Sequence, residues 1–176
     1  MDITQLILDD HAEQRRLFAI IEQIDDADTD SLAAAWGRLS AFLEVHAEAE
    51  ERLFYPALLE WGRGADGNKS PEAETIDAIE DHNELRDAVA AVAGLKVGGD
   101  AWRKAVAKAN HANSDHMGEE ERQGLTDLRM RAPIQLRHDL AVQFIAFEAR
   151  HVKGVRPVDK DPEGYIAAQG GDPAKA

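Results

Sequence analysis

Apolar residues recur every three to four positions along most of this chain, and runs alternating with period two do not occur. That spacing predicts helices and no sheet, so the fold class reads as all-α. A first helix is expected from Asp2, an N-cap residue type, to the cluster DDADTD at 25–30. A second opens near Ser31 and reaches Trp61, with Pro56 predicting a kink or local break in its last turns. GRGADGNK at 62–69 reads as a loop, and Ser70–Pro71 as a cap followed by proline at the first helical position. The third helix then runs to about Val92, and a fourth, capped by Asp100, continues to about Arg131. Pro133 opens a fifth, APIQLRHDLAVQFIAFEARH, while the segment after it is broken by Pro and Gly and reads as irregular. Four long helices on short connections imply an antiparallel up-down four-helix bundle over 1–131. The additional C-terminal fifth helix, 132–153, would pack on it, leaving a tail at 154–176.

The apolar stripes are interrupted in a repeated way. On the second helix the inward positions are Leu32, Trp36, Leu39, Phe42, His46, Glu50 and Leu53, so an ionisable pair replaces core residues. On the fourth, His116 and Glu120 continue the stripe Trp102, Ala105, Ala109, Ala112. His82 lies on the stripe Ile79, Leu85, Val89, and His11 at the edge of Ile3, Ile7, Phe18, Ile21. The surroundings match in pairs: DDHAEQR with EDHNELR, and HAEAEER with HMGEEER. His11 and His46 are 35 residues apart and His82 and His116 are 34 apart, so the chain repeats one pattern, H then HxxxE. Equal lengths before each turn of an antiparallel bundle bring the six residues to one level.

Burying two carboxylates without compensation costs several kcal/mol each. With no lysine or arginine expected on the inner faces nearby, a metal cluster is the remaining neutraliser. Imidazole with carboxylate and no sulfur suits iron, manganese or zinc. Two bridging carboxylates favour a pair of ions, about 3.5–4 Å apart in two-metal sites generally. One inward histidine alone would more often be a hydrogen-bonded core residue; four at a repeated spacing are not explained that way. His111 competes with His116, because Asp115 lies four residues after it, but it breaks the repeat and shares its face with Lys104 and Lys108. It reads as surface, and His138 and His151 as solvent or packing residues. Tyr55 and Tyr165 could offer a phenolate. Glu51 and Glu121 turn from the bundle axis and read as solvated, and Gln123 falls one turn beyond Glu120, at the pocket or its wet end.

Composition narrows the partners. A net charge of -14 argues against nucleic acid or an anionic membrane surface. The absence of cysteine excludes disulfides, thiolate zinc sites and iron–sulfur clusters. The N-terminal MDITQLILDD has no basic n-region, and no window nears the roughly 18 apolar residues of a membrane span, so the expected setting is cytoplasmic.

These residues resemble the hemerythrin-like (HHE cation-binding) family, antiparallel four-helix bundles with a non-haem di-iron centre. The resemblance covers roughly residues 3–130, and HAEAEERLFYP is similar to the family's second-helix motif. It implies two iron ions, oxo-bridged, with His11 and His46 on one, His82 and His116 on the other, and Glu50 and Glu120 bridging. The set is that of the bacterial variant. Oxygen carriers of the family have five histidines, two of them four apart on the third helix, where this chain has Arg86 after His82. They also place an Asp five residues after the fourth-helix histidine, where this chain has Glu120 after four. Two histidines per iron leave each an open position, which implies reaction with peroxide, O2 or nitric oxide instead of reversible carriage. Catalase-like peroxide disproportionation is the leading expectation. The alternative is an iron or oxygen sensor or store, lowered by the lack of room for an output domain. The ferritin-like class, with more carboxylates than histidines and the order Glu-x-x-His, fits less well.

Overall fold

The computed structural model describes residues 1–65 and 69–173, so the middle of the expected 62–69 loop and the last residues of the tail lie outside the described residues. The fold is all-helical, with no strand among the described residues. Helix α1 spans Ile3–Gln23, started by Asp2, whose side chain accepts from the Thr4 N–H at 3.0 Å. Helix α2 spans Thr29–Ala49. Its cap is Asp28, which accepts from Ser31 N at 3.1 Å, so the start falls inside the acidic cluster and ahead of the expected Ser31.

α2 leads into a π-helical segment, Glu50–Phe54, and then α3, Tyr55–Trp61. Pro56 is the cause closest to hand. It has no N–H to give and its ring crowds the carbonyl one turn back, so the ladder widens and Tyr55 N–H bonds Glu50 O. The expected break is therefore a π-turn, placed directly behind Glu50. One result is that Glu50, Glu51, Phe54 and Tyr55 are all buried.

α4, Pro71–Ala90, begins at Ser70, whose hydroxyl accepts from Ala73 N. α5 spans Asp100–Arg122, with Gly99 as its cap and Asp100 already in its first turn. It stops at Gln123, where the expected continuous helix is interrupted, and α6 restarts at Gly124–Arg131. Gly124 sits hard against α3 and the π-segment: a Cβ there would meet Leu58 at 3.2 Å and Phe54 at 3.4 Å. α7, Ile134–Arg150, packs on α1, α2 and the π-segment.

The tail is not irregular throughout. Asp161 accepts from Gly164 N and Pro162 takes the first helical position, opening α8, Pro162–Ala168, which packs on α4 through the buried Ile166. That is the same cap-then-proline chemistry as Ser70–Pro71.

α1 packs on α2 and α4 on α5, with further contacts from α1 to α5 and from α2 to α4. The apolar interior falls into two clusters. One gathers Ile3, Ile7, Phe54, Leu58, Ile79, Leu128 and Phe144; the other Leu17, Phe18, Leu32, Leu39, Leu43, Trp102 and Val106. On α1 the residues between the two clusters include His11 and Gln14, both buried. Gln14 Oε1 accepts from Asn113 on α5 at 2.9 Å, which joins the two helices through this polar layer. Among the described residues no helix is long and apolar enough to cross a membrane.

Candidate metal centre

The polar layer brings the six expected residues together from α1, α2, the π-segment, α4 and α5. All are at most 5% exposed. Glu50 stands at the middle. Its Oε1 lies 2.9 Å from His46 Nε2 and 3.7 Å from His11 Nε2; its Oε2 lies 3.3 Å from His82 Nε2 and 3.9 Å from His116 Nε2. Two groups of ligand atoms result, His11–His46–Glu50 and Glu50–His82–His116, sharing one carboxylate. Glu120 is in neither tight group, but its Oε2 lies 3.4 Å from His11 Nε2.

Hydrogen bonding does not account for these contacts. His11 Nε2, His46 Nε2, both oxygens of Glu50 and both of Glu120 are buried with no hydrogen-bond partner. Leaving one such group unpaired costs about 1–3 kcal/mol, more when it is charged. His82 Nε2 and His116 Nε2 lie 3.1 Å apart, a contact that one N–H shared between them satisfies, so the unpaired ligand atoms are those of His11, His46, Glu50 and Glu120. Donors about 2.1 Å from an ion and at right angles are roughly 3 Å apart, and the contacts around Glu50 run from 2.9 to 3.9 Å. The residues present therefore fit a pair of cations bridged by Glu50.

Behind each imidazole stands a further carboxylate. His11 Nδ1 meets Glu121 at 3.1 Å, His82 Nδ1 meets Glu51 at 2.8 Å, His46 Nδ1 faces Asp10 at 3.4 Å and His116 Nδ1 faces Asp81 at 3.6 Å. The first two are hydrogen bonds of the kind that fix the ring orientation and tautomer of a metal-binding histidine, leaving Nε2 free, whereas Asp10 and Asp81 stand near their rings without one. Sequence reasoning missed all four and expected Glu51 and Glu121 in solvent. Instead Glu51 is 2% exposed and Glu121 half-buried. A helical wheel asks only which residues face the axis, whereas these reach sideways to the next helix. The signal was present: the repeat is Asp-His, then His-x-x-x-Glu-Glu, in both halves.

Nor is the neighbourhood free of cations. Arg86, one turn beyond His82, is buried and donates to Glu51 at 2.8 Å and to Glu44 at 3.3 Å. It compensates the outer carboxylates and not Glu50 or Glu120. The remaining histidines lie elsewhere: His111 is largely exposed beside Asp115, His138 meets the Met1 carbonyl, and His151 packs on Phe147. Tyr165 donates its hydroxyl to the Glu51 carbonyl, whereas Tyr55 is buried against His82, its hydroxyl facing Glu120 without a hydrogen bond.

Residues 2–125 match the hemerythrin HHE cation-binding domain, which is more than half of the chain. The chain belongs to that family. No curated protein and no solved structure matches it. A cation-binding domain is what the unpaired ligand atoms require, and iron is the metal the hemerythrin family implies.

The electrostatics of the metal-free hemerythrin-like cluster show how it balances itself. Burial disfavours charge on His46 and His116, yet facing carboxylates win: Glu50 and Asp10 hold His46 well above the usual histidine range, and Asp81 and Glu50 lift His116 to about 10. Burial likewise opposes ionisation of Glu50, but His46 and its neighbours hold it well below the carboxylate range. Burial and the Glu50 charge raise Glu120 to about 6. Protons on the imidazoles thus stand where cations would bind. A small cavity, lined by Tyr55, Asp81, His116, Glu120, Gln123 and Gly124 among others, approaches this side of the cluster.

Proposed function

We propose that this protein is a non-haem di-iron protein that reacts with small oxidants, hydrogen peroxide first among them, with nitric oxide or O2 as the other candidates. The single observation that carries the reading is the sharing of Glu50, two imidazole nitrogens facing each of its oxygens. Four histidines, not five, stand around it, which leaves room for an oxidant beside the ions instead of a filled site. In the same proposal α1, α2 with α3, α4, and α5 with α6 form an antiparallel four-helix bundle over 1–131, with α7 as a fifth helix over 132–153. The setting is cytoplasmic.

Two bound irons would supply paired one-electron redox chemistry, the kind that peroxide disproportionation needs. The chain's own residues do the rest. The four imidazoles and Glu50, with Glu120 beside them, would hold the ions; Glu51 and Glu121 orient two of the rings. Tyr55 and Glu120 place a hydroxyl and a carboxyl at the cavity, where a proton can be held next to an incoming oxidant. Leu58 and Ala78 add apolar walls to this small cavity.

The test is O2 evolution from peroxide by the iron-loaded protein. Turnover well above an equal amount of free iron, and its loss in Glu50→Gln, is expected. Turnover no faster than free iron would end the enzyme reading and leave binding or sensing in its place.

A further inference from the structure

The last part of the chain, beyond the residues that match the family, reaches the centre. Between α7 and α8 a strap carries Lys160, and Asn83 on α4 clamps its backbone from both sides. Asn83 Nδ2 donates to Lys160 O at 2.8 Å, and Lys160 N donates to Asn83 Oδ1 at 3.0 Å. So held, Lys160 Nζ donates to Glu48 at 2.8 Å and, closer still, to Glu51 Oε2. The other oxygen of Glu51 accepts from His82 Nδ1 and Arg86.

Glu121 occupies the equivalent place behind His11, and the comparison is informative. Its side chain is 27% exposed and is met by Arg15, itself 44% exposed, so water can serve whatever Arg15 does not. The Glu51 side chain is 0% exposed. Without Lys160, its Oε2 would lose the cation that holds it, and Arg86 and His82 would hold the carboxylate through Oε1 alone.

We propose that Lys160 is a positioning residue for the metal centre, holding Glu51 in the rotamer that orients His82, so that the C-terminal strap sets how tightly one of the two metals binds. The inference rests on the di-metal reading above. It makes the two halves of a duplicated site unequal: one ring is braced by solvent-reachable groups, the other by a latch from outside the duplicated unit.

The test is anaerobic calorimetric titration of the full-length protein with Fe2+, with melting of the metal-free form alongside. The parent protein should take up two ions. In Lys160→Met, which keeps the apolar stem, one ion should bind more weakly by up to about 10-fold, the low end of the range for losing a metal ligand's own hydrogen-bond partner, because Glu51 itself remains. Lys160→Arg should restore it, and Lys108→Met, at an exposed lysine of α5, should leave both ions unchanged, each variant being read against its own metal-free melt. In a His82→Ala background, Lys160→Met should add nothing. Two ions bound normally by Lys160→Met, equal weakening of both ions in that variant, equal weakening in Lys160→Arg, or a further loss on top of His82→Ala would each overturn the proposal while leaving the di-metal reading standing. A parent protein that binds fewer than two ions overturns both.

Discussion

Replacing Glu50 with Gln is the sharpest perturbation this site allows. The side chain keeps its shape and loses the charge that faces four imidazole nitrogens at 2.9, 3.7, 3.3 and 3.9 Å. Because one oxygen serves each half, the change should weaken both ions at once, which no histidine substitution would do. The magnitude follows from linkage. At a free metal concentration a hundred times Kd, one ion adds about 2.7 kcal/mol of stability, and two add roughly 5 kcal/mol. For a domain of this size Tm moves by about 2–4 °C per kcal/mol, so loading the parent protein should raise it by roughly 10–20 °C. Circular dichroism melts of metal-free and loaded forms of each variant give the rise directly, each against its own metal-free baseline. Glu50→Gln should lose most of the rise, while Glu119→Gln, whose side chain is 46% exposed, should keep it. A full rise in Glu50→Gln, or its loss in Glu119→Gln, would refute the bridging role.

Two further outcomes follow from the same geometry. His116→Ala should prevent full iron loading, and His111→Ala, 79% exposed at its side chain, should not; equal loss in both, measured as iron per chain, would mean the register of α5 is misread. Loading should also release protons. His116, lifted to about 10 chiefly by Asp81 and Glu50 against the pull of burial, holds a proton in the metal-free protein at neutral pH. Its stabilising contribution there is complete below the ordinary value of 6.5 and fades as pH rises through about 10. Metal needs the nitrogen free, so apparent affinity should rise over that same window. Calorimetry in buffers of different ionisation heat measures the release, and none detected would count against ligation through His116.

How much of this was readable in the sequence depends on direction. Residues aimed at the bundle axis obey the 3.6 period, and His11, His46, Glu50, His82, His116 and Glu120 all surfaced as interruptions of apolar stripes. Residues aimed at a neighbouring helix obey no such rule, so Glu51, Glu121 and Arg86 were misplaced or set aside. The π-turn was half legible. Pro56 announced a break, but a proline does not state whether the ladder will kink, stop or widen; here it widens, and Glu50 and Glu51 are both buried. α8 was missed for a different reason: its start, Asp161–Pro162, was plain, yet the glycines around it drew the whole tail into the irregular class.

The duplication does more than supply two sets of ligands. Asp10 and His46 belong to the first half, as Asp81 and His116 belong to the second, so each half sets a carboxylate near one of its own histidines, at 3.4 and 3.6 Å. The other pair is crossed. His11 of the first half leans on Glu121 of the second, and His82 of the second leans on Glu51 of the first. Glu50 crosses as well, facing two nitrogens from each side. A half-molecule would therefore keep neither of the hydrogen-bonded braces, and would have no second half to face Glu50. On the proposed di-metal reading, metal affinity and closure of the two helix pairs are coupled, because whatever separates α1 and α2 from α4 and α5 breaks both crossed braces and parts Glu50 from two of its four imidazoles.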